Sequence, residues 1–178
     1  MVKFDVMNQS EIEKQTFTYS FFFRIIFRYG NIILTPILIL YTIPLIYYLD
    51  EKLILTFPLI VNLFIIYFLN RHYFNLYKTL PYKIEADDEK LVCSNFFLTE
   101  KTKTIYYGDI SSLSGGIFAN KISGLMKVCD EKNNFCIGFY HRLTNSQKLA
   151  TIILSKVKRP IYDEVLEKLY SRKKEMKK

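Results

Sequence analysis

The sequence predicts an α+β protein: a two-helix transmembrane hairpin followed by a small antiparallel β-barrel or sheet capped by a C-terminal helix. Two uncharged apolar runs stand in tandem at 31–49 and 53–70. After Pro81 the pattern changes to short alternating segments divided by turn residues, and helical spacing returns after Thr144. At 178 residues, with 50% hydrophobic and 24% charged, the composition excludes a disordered chain. Six Gly and five Pro exclude collagen-like repeats, and three Cys are no disulfide framework.

Residues 1–30 read as an N-terminal cytoplasmic or interfacial segment. From Phe17 to Tyr29, aromatic and aliphatic residues interleave with Arg24 and Arg28. This mixture predicts an interfacial helix that turns into the first span at Gly30, with both Arg side chains snorkelling to headgroups.

Residues 31–70 form the hairpin. Fourteen residues in each apolar run are Ile, Leu, Val, Phe or Tyr. At 1.5 Å per residue, each run makes a helix of about 27–28 Å, close to the ~30 Å hydrocarbon core. Two such helices in tandem need a core larger than the rest of the chain supplies, so lipid is the expected solvent. Only Asp50, Glu51 and Lys52 separate the spans, which forces an antiparallel pair. Pro36, Pro44 and Pro58 are tolerable because neighbouring groups satisfy the freed carbonyls. Asn62, in mid-span, is a candidate intramembrane polar contact. The expected partner is Thr35, Thr42 or a freed carbonyl across the hairpin, the alternative being a partner helix or substrate path. Neither span contains an ionisable Asp, Glu, Lys or Arg, so nothing points to a proton or ion path.

The flanks predict the orientation. Residues 1–70 balance five basic against five acidic groups, so the whole net charge of +8 lies in 71–178. Arg24 and Arg28 precede the first span and Arg71, Lys78 and Lys83 follow the second, while the turn carries one Lys and two acids. The positive-inside rule then places both termini in the cytoplasm of a bacterial cell, with the hairpin in its cytoplasmic membrane.

Residues 71–81 read as a helical linker and 82–159 as a cytoplasmic domain. Tyr82–Ala86 and Leu91–Leu98 flank an Asp87-Asp88-Glu89-Lys90 turn. A third strand covers Thr102–Tyr107, a weaker one Ile110–Ala119, and a second hairpin joins Ile122–Cys129 to Phe135–His141. Thr144 and Gln147 are spaced as a capping box for a helix carrying Leu149, Ile152, Ile153 and Val157, which Pro160 ends. Residues 160–178 form an amphipathic helix, with Val165, Leu166 and Leu169 on one face, and a basic tail.

Six or so short antiparallel strands closed by one helix is the outline of a pleckstrin-homology-like (PH-like) barrel. Two spans, Tyr82-Lys83-Ile84, the acidic turn, Ile105-Tyr106-Tyr107-Gly108-Asp109-Ile110, a late strand and the helix after Thr144 resemble the bacterial YcxB-like family over about residues 30–157. Tyr107 stands where that family often has Trp, and Gly138-Phe139-Tyr140-His141 where a Pro-containing strand end is usual. The resemblance implies the PH-like fold and carries over no catalytic residue.

A search for chemistry finds no nucleophile elbow, Walker loop, dinucleotide fingerprint, H-E-x-x-H or paired C-x-x-C, so no enzyme, cofactor or metal is expected. Cys129 and Cys136 have numbers that fit pairing across the last hairpin. A redox pair is one reading; reduced, small apolar side chains are the expectation for a cytoplasmic domain. The acidic turn opposes phosphoinositide capture. The candidate contacts to an anionic leaflet are Arg24, Arg28, Arg71, Lys158, Arg159, Arg172, Lys173, Lys174, Lys177 and Lys178. At about 1 kcal/mol per basic residue, the tail either holds to lipid or remains a solvated end. No aromatics interleave with the basic tail, which argues against nucleic acid.

The expected function is a non-enzymatic membrane protein that presents its domain as a protein-interaction or regulatory module. The partners are membrane lipids, an unidentified protein and a second copy of the chain. The alternative is an immunity (self-protection) protein against a membrane-active bacteriocin or toxin, on analogy of architecture alone.

Overall fold

The computed structural model describes residues 14–97, 101–121 and 123–175, with side chains to residue 169. Strand β1 (Gln15–Thr18) leads directly into helix α1 (Phe21–Tyr47). A 3-10 turn at Leu53–Leu55 opens α2 (Thr56–Thr79). Strands β2 (Lys83–Ala86), β3 (Lys90–Ser94) and β4 (Lys103–Tyr106) follow, then β5 (Ser112–Ser114), β6 (Leu125–Asp130) and β7 (Phe135–Tyr140). Helices α3 (Ser146–Lys156) and α4 (Arg159–Glu175) end the described chain.

The two apolar helices are long and apolar enough to cross a membrane. Their outward faces are Ile, Leu and Phe, with Leu40 at 65% and Phe64 at 59% exposed, a surface suited to lipid. Their shared face is polar in two places. Asn31, Asn70 and Thr35 close a ring: Asn31 Nδ2 donates to Asn70 Oδ1 at 2.9 Å, Thr35 Oγ1 to Asn31 Oδ1 at 3.0 Å, and Asn70 Nδ2 to Thr35 Oγ1 at 3.2 Å. About 10–12 Å further along the hairpin, two helical turns at 1.5 Å per residue, comes the second rung. There Asn62 Nδ2 donates to Thr42 Oγ1 at 2.7 Å and to the Leu38 carbonyl at 3.1 Å. A polar atom facing hydrocarbon unpaired costs several kcal/mol, so these rungs fix which faces of the helices meet.

The N-terminal segment differs from the expectation of an interfacial helix from Phe17. Residues 15–18 are a strand, and α1 continues through Gly30 without a break. β1 pairs antiparallel with β2, Gln15 opposite Ala86 and Thr18 opposite Lys83. The alternation of Phe17 and Tyr19, both 2% exposed, is a strand's period of two; the aromatic density around it masked that signal. The hairpin is therefore inserted between two neighbouring strands of one sheet, and residues 71–79 of the helical linker expected at 71–81 are the last part of α2.

The strands form two antiparallel sheets, β1-β2-β3-β4 and β5-β6-β7, rather than one closed barrel. Their inner faces share one core. Ile84, Leu91, Cys93 and Ile105 from the first sheet meet Met126, Val128, Ile137 and Phe139 from the second, all fully buried. Leu149, Ala150 and Ile153 of α3 pack into it, as do Leu76 and Leu80 from the foot of α2. One isolated bridge, Tyr19 with Leu143, joins the end of β1 to the segment after β7.

Two local expectations also differ. The capping box does not form: Asn145, left-handed at φ 55°, is the N-cap of α3 without a side-chain bond, and the Thr144 N–H donates to the Thr18 carbonyl at 3.0 Å. Pro160 lies in the first turn of α4, where its missing N–H has no helical partner to lose.

Candidate membrane-facing site

The feet of α1 and α2 stand on the domain through aromatic rings. Phe27 stacks on Tyr140 at 4.9 Å and meets Tyr19 edge-on at 5.5 Å. On α2, Tyr77 lies 4.5 Å from Phe97, and its hydroxyl donates to the Arg28 carbonyl at 3.2 Å. Gly30 permits the close approach of the helices: a Cβ there would lie 2.3 Å from the Tyr73 hydroxyl.

Basic side chains thread this aromatic collar. The Arg28 guanidinium lies 5.3 Å from the Phe97 ring centre and 5.7 Å from that of Tyr29, within cation–π range. Arg142 lies 5.0 Å from the Phe23 ring. The Nε atoms of Arg24 and Arg28 are shielded from solvent without a hydrogen-bond partner among the described residues. Arg71, further up α2, donates to the Tyr67 hydroxyl at 3.3 Å.

The other predicted contacts are placed elsewhere. Lys158 and Arg159 are exposed at the corner between α3 and α4. Arg172, Lys173 and Lys174 follow on the α4 backbone, with side chains outside the described residues; Lys177 and Lys178 lie outside them altogether. The structure thus places Arg24 and Arg28 at the foot of α1 and Arg71 higher, next to the Asn31–Asn70 pair, and keeps the C-terminal basic groups on separate elements. Arg142, which completes the collar from the end of β7, was not singled out in the sequence. Its only signal there is an Arg directly after an alternating strand.

The acidic turn is folded inward on itself. Asp87 Oδ1 accepts the N–H groups of Glu89 and Lys90 at 2.9 and 2.8 Å. Desolvation pushes the Asp87 carboxyl up, but these two bonds, with Lys90 and Lys156 nearby, outweigh it and hold the group below the ordinary range. Lys156 of α3 donates to the Asp87 carbonyl at 3.1 Å and to Asp88 Oδ1 at 2.8 Å. The turn that would repel an anionic headgroup is therefore clamped to the helix.

Between the foot of α2 and the outer face of the second sheet lies a groove of about 800 Å³, lined among others by His72, Asn75, Thr79, Lys127, Cys129 and Cys136. The expectation of two reduced thiols is corrected here. Cys129 and Cys136 are directly opposite, 4.1 Å apart at Cα, and joined as a disulfide. The Cys129 carbonyl accepts from Ser111 on the β5 side, so its backbone faces away from β7. This makes the rung a non-hydrogen-bonded one, where side chains approach most closely. Cys93, in contrast, is a buried free thiol whose pKa burial pushes up to about 12.

Comparison of the chain with family models, curated proteins and solved structures gives no match.

Proposed function

We propose that this protein is a non-enzymatic integral membrane protein that holds a PH-like, YcxB-type interaction domain against the cytoplasmic face of the bilayer. The observation that carries this reading is the insertion of the hairpin between the paired strands β1 and β2. An anchor built into a sheet presents the domain in a fixed pose, whereas a flexible tether would not. A four-plus-three division of strands, with a helix packed on the shared core, supports the PH-like reading. The basic residues Arg24, Arg28, Arg71 and Lys78 toward the domain end of the two helices, against Asp50, Glu51 and Lys52 at the tip, support the cytoplasmic placement.

The surface offered to a protein partner is the edge of the first sheet. Strand β4 pairs with β3 on one side, and no described strand lies on its other side. Such an edge accepts an extended peptide as a further strand. Tyr106, 48% exposed, stands at the end of that edge. A photo-crosslinking residue at position 106 of the full-length protein in native membranes is expected to give one stoichiometric protein adduct, absent when the label is at Tyr47 near the hairpin tip. Adducts confined to lipid and to the chain itself would refute the interaction-module reading.

A further inference from the structure

Cys129 and Cys136 lie on the outward face of the hairpin formed by β6 and β7, opposite the face that buries Met126, Val128, Ile137 and Phe139. They form part of the wall of the groove beside α2, so an attacking thiol reaches the bond without disturbing the core. Lys127 stands on the same face two rungs away, opposite Gly138, where its charge favours a departing thiolate. The cross-link closes a loop with a sequence separation of 7, in a hairpin already paired over six rungs from Leu125–Tyr140 to Asp130–Phe135. Loops this short gain least from a cross-link, so stapling the fold is a poor account of it.

We propose that the Cys129–Cys136 bond is a reversible thiol–disulfide exchange site served by a cytoplasmic dithiol reductant. The proposal rests on the cytoplasmic placement argued above, since that compartment reduces accessible disulfides. One thiolate of the reductant attacks one of the two sulfurs, forming a mixed disulfide, and the other cysteine leaves as a thiolate and takes up a proton. The second thiol of the reductant then breaks the mixed disulfide, freeing the remaining cysteine. Two electrons and two protons pass to the protein, and the reductant ends as its own disulfide. The groove wall facing His72, Asn75 and Thr79 is cross-linked in one state and free to separate at the side chains in the other.

The test uses the full-length protein in sealed native membrane vesicles of both orientations, treated with thioredoxin, its reductase and NADPH. Acid quenching, blocking of free thiols with one maleimide, and labelling of disulfide-derived thiols with a heavier one give the redox state at each cysteine by mass spectrometry. The expected result is at least a ten-fold fall in the oxidised fraction of Cys129 and Cys136 in inside-out vesicles and none in right-side-out ones. Cys93 serves as the internal control and stays in the reduced pool throughout. Resistance of the bond in both orientations, or a pair that is wholly thiol in cells at rest and after an oxidant challenge, would overturn the proposal. Reduction only in right-side-out vesicles would overturn the cytoplasmic placement and with it the assigned reductant. Placement is fixed separately by an impermeant maleimide on Asp50→Cys in a Cys129→Ser, Cys136→Ser background.

Discussion

The Tyr19 hydroxyl accepts the backbone N–H of Tyr140 at 2.8 Å, across 121 positions of sequence. Tyr19 is buried between Phe27 and Tyr82, and burial raises its pKa, so the phenol stays neutral. Tyr19→Phe keeps the ring but leaves that N–H unpaired, at an expected cost of about 1–3 kcal/mol. Tyr19→Ala also removes the ring and is expected to cost about 3–5 kcal/mol. Thermal unfolding in detergent micelles checks both; equal stabilities for Tyr19→Phe and the parent protein would show that the bond contributes nothing.

Asn62 joins Thr42 and the Leu38 carbonyl inside the hairpin, and Thr42 retains its own bond to the Leu38 carbonyl at 2.9 Å when Asn62 is replaced. Asn62→Leu therefore strands no donor. Its expected cost is near the average of about 0.6 kcal/mol for interhelical bonds in membranes. Unfolding measured by steric trapping in bicelles gives the number; a loss above about 2 kcal/mol would mean that Asn62 also serves a contact beyond the hairpin.

Gly30 and Tyr73 are expected to be coupled. A methyl group at position 30 collides with the Tyr73 hydroxyl at 2.3 Å, and with the hydroxyl removed its nearest contact on the ring is Cζ at 3.2 Å. Gly30→Ala alone should destabilise, by about 1–3 kcal/mol as for other overpacked sites. Adding Tyr73→Phe should recover part of the loss. Strict additivity in the double-mutant cycle would place the two residues out of contact.

Glu85 receives two ion pairs, from Lys14 at 2.6 Å and Lys83 at 2.7 Å. The Lys14 bond, then that of Lys83, holds its carboxyl below the ordinary value of 4.5. A depressed native value means that the stability from this group is complete above the unfolded value and is lost as pH falls through the native one. The chain should therefore lose stability below about pH 4.5, and Glu85→Gln should flatten that acid limb while changing little at low pH. Because both lysines are about half exposed, at 54% and 44%, the effect should shrink in high salt. An acid limb unchanged in Glu85→Gln would refute the assignment.

The hairpin was legible because its signal is long and uninterrupted: eighteen or more uncharged positions twice over leave one physical solution. The position of most strands was legible from alternation, as in Phe135, Ile137 and Phe139. β1 was not. Four residues are too few to establish a period, and its partner β2 lies beyond both spans. The collar was half legible. Arg24 and Arg28 stand out among aromatics, whereas Arg142 and Phe97 reach the same place only through the fold. For Cys129 and Cys136, sequence numbers gave the pairing, but bond formation depends on the rung type, which only the direction of the Cys129 carbonyl reveals.

Placing the hairpin between β1 and β2 also orders the protein's biogenesis. β1 leaves the ribosome before either span, and its partner leaves after both. The first sheet therefore has no neighbour for β1 until both helices have been made and β2 has been delivered beside it. A chain whose two helices fail to pair carries an exposed Phe17 and an unfinished sheet, the surfaces that quality-control proteases and chaperones bind. Completion of the domain thus reports that the two helices have paired.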